Sequence, residues 1–194
     1  MKMRKVLSAL LVAACTLSLA ACGSSSSKNE TTGASGETAA GSANTAKVID
    51  VDLTSEEYAF GVDKTQPELL EQTNTFIQKI KDDGTLDAIC AKYFGDGEPE
   101  AVESAELDSS KDQLVVATNA AFEPFEYTKG DQYYGIDMEI AKLLADELGK
   151  ELVIQNMDFD AVCLSVSQQK CDIAMAGLTI NEERQEYVTF TDSY

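Results

Sequence analysis

From residue 113 to residue 194 the apolar residues switch repeatedly between two periods, and that alternation restricts the fold more than any other feature. Leu114-Val115-Val116-Ala117 is a short continuous apolar run, as a strand buried on both faces carries. Helical spacing then takes over at 137–148, with Ile140, Leu143, Leu144 and Leu148 on one face and Gly149 placed to close the helix. A strand at 152–154, a helix at 160–169, a strand at 172–176, a short helix at 182–187 and a last strand at 188–190 follow. Such an order predicts an α/β fold: a three-layer unit with a mostly parallel central sheet and helices on both faces. Ligands of such sheets sit beyond the carboxyl ends of the strands.

A second patterned block precedes it, at 48–97. Aromatic and β-branched content predicts a strand at 57–62. Thr65-Gln66-Pro67-Glu68 starts a helix, with proline in the first turn. Leu69, Leu70, Thr73, Phe76, Ile77 and Ile80 give that helix one apolar face, and Asp83-Gly84 stops it. Thr85 is positioned to cap a second short helix carrying Leu86, Ile89, Cys90, Tyr93 and Phe94, ended by Gly95. Between the blocks, residues 98–112 are rich in Glu, Asp and Ser and are expected to form an exposed linker. No internal repeat is present.

The first 47 residues are of another kind. Lys2, Arg4 and Lys5 precede an apolar run from Val6 to Ala21, too short for a lasting membrane span, so 1–21 reads as a signal peptide. Leu19-Ala20-Ala21-Cys22 resembles the lipobox of bacterial lipoproteins, which implies a lipid on Cys22 and an extracytoplasmic chain anchored to the membrane. Residues 22–47, mostly Ser, Thr, Gly, Ala and Asn, lack the apolar surface to offset the entropy of folding, and are expected to act as a flexible tether. The remaining 147 residues suffice for one domain, 48–194.

Residues 22–194 hold 12 basic and 34 acidic side chains, a balance of −22. Nucleic acid is therefore not an expected partner. The chain has no histidine, so a Ser-His-Asp arrangement is ruled out; no phosphate loop or metal-ligand spacing is visible either. No enzyme activity, metal or cofactor is expected. Beyond Cys15 and Cys22 three cysteines remain, Cys90, Cys163 and Cys171, which cannot all pair; whether Cys163 and Cys171 do is left open by the spacing.

Four ordered stretches carry a resemblance: 118–127 (TNAAFEPFEY), 135–141 (GIDMEIA), 172–184 (DIAMAGLTINEER) and 190–194 (FTDSY). Together they resemble the polar amino-acid-binding proteins of ABC importers, solute-binding protein family 3, with the type 2 periplasmic-binding-protein fold. The block at 57–94 also resembles that family, but there it is the C-terminal segment. The resemblance thus implies a single lobe, circularly permuted: 48–97 as the family's C-terminal segment, 98–112 as the new join, 113–194 as its N-terminal segment. Termini that lie close in a domain tolerate such a rearrangement. Residues 48–52 stand where one hinge strand would return, and Tyr194 where the chain would cross into a second lobe.

An amino acid in water is a zwitterion, and its carboxylate needs a cation. The resemblance assigns that role to Arg184, whose guanidinium fork suits two carboxylate oxygens, helped by Thr179, the backbone of Gly177, and Leu178. Taken alone, Arg184 reads rather as a surface residue paired with Glu182 or Glu183; the motif around it is what favours the ligand role. Phe122 and Phe159 fall where the family stacks rings on the ligand side chain, Phe125 and Phe190 read as core, and Asp160 as a helix cap. The expected partners are a small-molecule amino acid, an ABC permease complex, the membrane through the lipid, and a second lobe supplied by another chain or another copy of this one. The alternative expectation is a partner-dependent or vestigial lobe without ligand affinity of its own.

Overall fold

The computed structural model describes residues 56–194. The signal-like segment, the tether, Cys22 and residues 48–52 lie outside the described residues.

The elements in chain order are β1 (Gly61–Asp63), α1 (Pro67–Asp82), α2 (Thr85–Phe94), β2 (Gln113–Thr118), β3 (Ala121–Phe122), β4 (Glu126–Lys129), β5 (Gln132–Tyr134), α3 (Ile136–Leu148), β6 (Glu151–Asn156), α4 (Phe159–Ser167), β7 (Ile173–Ala174), α5 (Glu182–Gln185) and β8 (Val188–Phe190). Five strands form the central sheet in the order β6-β2-β7-β1-β8. β2 is parallel to β6 and to β7, whereas β1 is antiparallel to both β7 and β8, so four of the five strands point the same way. A strand from the first block therefore lies inside a sheet otherwise built by the second.

Successive β2 side chains serve opposite faces, as pleating requires. Leu114 and Val116 enter a large core with Phe76, Ile77 and Ile80 of α1, Ile89 of α2 and Ile140 and Leu144 of α3. Val115 and Ala117 face a smaller core with Val162 and Val166 of α4. Helices thus cover both faces, three on one side and α4 on the other. The apolar stripe expected for α1 is the buried one, and Gly149 closes α3 in the left-handed region at φ 69°. Cys90, Cys163 and Cys171 are all free thiols.

Several expectations are corrected. Thr85 is the first residue of α2 rather than its cap; Gly84 holds the cap position, and Asp83 Oδ1 accepts from the Thr85 N–H at 2.9 Å. Asp158, not Asp160, occupies the cap position of α4. The strand expected at 57–62 is confined to Gly61–Asp63, with Tyr58 making only an isolated bridge to Thr179. An antiparallel sheet, β3-β4-β5, occupies 121–134 and was not anticipated.

The acidic linker is more than an exposed connection. Val102 is 6% exposed and packs in the larger core, and its N–H donates to Tyr133 O at 2.8 Å. Ala105 N–H donates to Leu152 O at 2.8 Å, and Ser104 Oγ accepts from Ile154 N–H at 2.8 Å. β6 is the outermost strand of its sheet, so the linker satisfies backbone groups that an open edge would leave unpaired.

Candidate functional site

A cleft of about 330 Å³ opens beyond the carboxyl ends of β2, β6 and β7. The segment after β2 contributes Asn119 and Phe122, the start of α4 contributes Phe159, and the loop after β7 contributes Gly177 and Thr179; Glu56, Tyr58, Glu126 and Arg184 also line the wall. The loop is tied down on its far side, where Ala59 N–H donates to Leu178 O at 3.0 Å. Asn119 Nδ2 donates to Met157 O at 2.7 Å, joining the ends of β2 and β6.

Five of the six expected ligand-binding residues (Phe122, Phe159, Gly177, Thr179 and Arg184) line this cleft. Leu178 does not: its side chain is 1% exposed and belongs to the smaller core, leaving only its backbone near the site. Asn181 caps α5, its Oδ1 accepting from Arg184 N–H at 2.8 Å. That cap fixes the base of Arg184, whose Nη1 donates to Thr179 O at 2.7 Å while its guanidinium lies 5.0 Å from the Phe159 ring centre. Among the described residues Arg184 makes no ion pair with Glu182 or Glu183, so the surface-pair alternative is not realised. The fork keeps further donors for an anion.

Phe122 is partly exposed, stacks on Phe125 at 5.4 Å and meets Tyr58 edge-on at 6.5 Å. Gly177 adopts φ +51°, and a Cβ there would sit 2.9 Å from two Phe122 ring carbons. Glycine is thus required both by the backbone and by the approach of the ring.

Two acids that the sequence did not single out belong to this region: Glu126 lines the cleft, and Asp137 is bonded to the backbone of Gly177. Glu126 is 1% exposed, and its Oε2 has no hydrogen-bond partner among the described residues. Asp137 is fully buried; its Oδ2 accepts from Gly177 N–H at 2.9 Å and its Oδ1 from the Tyr194 hydroxyl. Burial, and then the neighbouring Asp137, push the Glu126 carboxyl far above the ordinary range. Burial also raises Asp137, against the opposing effect of its two hydrogen bonds. The signal available in the sequence was local: Glu126 stands between Phe125 and Tyr127, and Asp137 between Ile136 and Met138. An acid in such an apolar setting is a buried candidate.

Residues 114–194 match the family model of the bacterial extracellular solute-binding proteins, family 3. This stretch of the chain belongs to that family. The chain is similar to the arginine-binding extracellular protein ArtP of Bacillus subtilis, 38% identical over 87 residues, covering 45% of this chain and 34% of that protein. Cyclohexadienyl dehydratase of Pseudomonas aeruginosa is 37% identical over 82 residues, covering 42% and 31%. Among solved structures, the arginine-bound form of domain 1 from TmArgBP is 37% identical, covering 42% of this chain and 67% of that one, with a TM-score of 0.38. The chain spans about a third of the length of the curated relatives it matches.

Proposed function

We propose that this chain is an extracytoplasmic, lipid-anchored solute-binding protein of an amino-acid ABC transporter, and that its cleft takes an amino acid with a cationic side chain. One observation carries the second part. Among the described residues, the same cleft holds a guanidinium without a carboxylate partner, Arg184, and a buried carboxyl oxygen without any partner, Glu126 Oε2, with the Phe122 and Phe159 rings also lining it. An amino acid supplies the matching set: a carboxylate for Arg184 and Thr179, an aliphatic stem for the rings, and a terminal cation for Glu126. The named relative ArtP agrees with that choice of ligand class.

The domain order that suits this function is the permuted lobe: 48–97 completing the unit built by 113–194, with 98–112 as the join. The pairing of β1 with both β7 and β8 supports it, as does the linker's bonding to β6. Cys22 would carry the lipid, and an ABC permease would receive the loaded protein. A cleft open on one side exposes the ligand to water, which screens its ion pairs. A covering surface, from a second lobe or another chain, is therefore part of the proposal.

Calorimetric titration of the purified chain with arginine, lysine, glutamine and glutamate tests the reading. Saturable binding is expected for the cationic pair. In Arg184→Ala it should weaken by about 10- to 150-fold, the value of a charge-assisted hydrogen bond. Silence with every amino acid, from a chain with a folded circular-dichroism spectrum, would reject receptor function for the chain alone. It would leave the partner-dependent or vestigial lobe.

A further inference from the structure

We propose that the cleft admits the positive end of its ligand in exchange for a proton that Glu126 and Asp137 hold between them, with Asp137 acting as the positioning residue that fixes the exchange. This rests on the cationic-ligand reading above and adds how the charge is selected.

The pair is built by the backbone. Ile136 N–H donates to Pro124 O at 3.0 Å and Asp137 N–H to Phe125 O at 2.9 Å, so the turn before β4 is stapled to the first turn of α3. Both acids then abut Gly177: Asp137 Oδ2 lies 2.9 Å from its N, and Glu126 Oε2 lies 3.7 Å from where its Cβ would stand. Two carboxylates so placed and so buried do not both ionise. The donors decide which keeps the proton. Asp137 accepts one hydrogen bond at each oxygen, from Gly177 N–H and from the Tyr194 hydroxyl, and so holds the negative charge. Glu126 Oε2 accepts none, and so Glu126 holds the proton.

The other ionisable groups around the pair leave that arrangement in place. Tyr58, ahead of β1, has its hydroxyl on Glu56 at 3.0 Å, and burial keeps it protonated. Tyr194, beyond β8, is held protonated by burial and by Asp137. Arg184, on α5, is bonded to Thr179 O. Among the described residues no lysine or arginine forms an ion pair with Glu126 or Asp137.

A ligand cation reaching Glu126 stabilises its ionised form. The O–H bond of the Glu126 carboxyl breaks, the electron pair stays on the carboxylate facing the cation, and the proton passes to solvent or buffer. An amide-ended ligand needs no such step, because it accepts a hydrogen bond from the neutral carboxyl. The sign of the pH effect follows. The cation-binding form of Glu126 becomes more populated as pH rises, so affinity for a cationic ligand climbs with pH, by up to about tenfold per unit. Affinity for the amide ligand stays level.

The test is titration of the full chain with arginine and with glutamine at pH 7, in phosphate and in Tris, whose ionisation heats differ, and a repeat of the arginine series from pH 6 to 8. About one proton released with arginine, none with glutamine, and a rising arginine affinity are expected. Asp137→Asn still offers an acceptor to Gly177 N–H and a partner to Tyr194 but removes the charge. Its proton release should fall and its pH profile flatten, which a merely structural role for Asp137 would not produce. Arginine binding without proton release and with a flat profile would overturn the proposal while leaving the cationic-ligand reading intact. If no ligand binds, that reading fails, and carboxyl ¹³C NMR of the ligand-free chain decides the pair separately. A neutral Glu126 at pH 7 upholds proton sharing, and an ionised one rejects it.

Discussion

Replacing Gly177 with alanine puts a methyl group 2.9 Å from two carbons of the Phe122 ring, at a backbone φ of +51°. Left-handed backbone costs an alanine about 1–2 kcal/mol, of which the stiffer unfolded chain returns about 0.4–1 kcal/mol. The steric term is relieved by motion rather than strain, because Phe122 is partly exposed and free to swing outward. Swinging forfeits its stack on Phe125, worth about 0.5–1.5 kcal/mol. The sum is a destabilisation of about 0.5–3 kcal/mol, a fall in Tm of roughly 1–12 °C for a domain of this size. The cleft suffers more than the fold, since a wall of the site is displaced. Chemical denaturation and calorimetric titration of Gly177→Ala, Phe122→Ala and the double variant check this. The two changes should be strongly non-additive in ligand affinity, because the first already removes the ring. Additive losses, or an alanine variant as stable as the parent with an unmoved Phe122, would refute the assignment of Gly177 as the residue that seats the ring.

Two further outcomes concern stability. Lys92 Nζ reaches Glu139 Oε2 at 2.6 Å and the Tyr93 hydroxyl donates to Glu139 Oε1 at 2.8 Å, so Lys92→Ala leaves a nearly buried carboxylate with one partner. Allowing for the partial exposure of Lys92, the loss in urea denaturation should be about 1–2 kcal/mol, with part recovered in the apolar double variant Lys92→Met, Glu139→Leu. Val102→Ala, in the linker, should cost about 1–2 kcal/mol as a buried truncation; a solvated connection would register no change.

What the sequence made legible follows from how many residues repeat a signal. α1 presents Leu69, Thr73, Phe76, Ile77 and Ile80 at helical spacing, and these are its buried residues. β2, β6 and α3 were equally plain. The β3-β4-β5 sheet was not, because its strands run two to four residues, too few for a period to register. Val102 was hidden for a related reason: one apolar residue among acids forms no pattern, and its burial depends on Tyr133, 31 positions away. At the site, the residues named by motif gathered in one cleft. Leu178 faced the core because its neighbours in the loop, Gly177 and Thr179, turn their own sides to the opening. Glu126 and Asp137 were invisible as a pair, since a composition with 34 acids gives no means of ranking two of them until the staple between Phe125 O and Asp137 N–H brings them together.

That the two acids matter more than the other carboxylates follows from what else can titrate. The chain has no histidine, the residue that ordinarily supplies charge changes between pH 5 and 8. The thiols of Cys90, Cys163 and Cys171 are all pushed up by burial, away from neutrality. Asp137 is raised to about 6, and Glu126 higher still, by burial in both cases. Among the described residues, this pair is where a response between pH 5.5 and 8 at the cleft is expected to originate. A pH-dependent change in the cleft, followed by Tyr58 or Tyr194 fluorescence, should shift in Asp137→Asn and in Glu126→Gln and vanish when the two substitutions are combined. A response that survived both substitutions would place the titrating group elsewhere and remove the physical basis for coupling charge selection to the Gly177 loop.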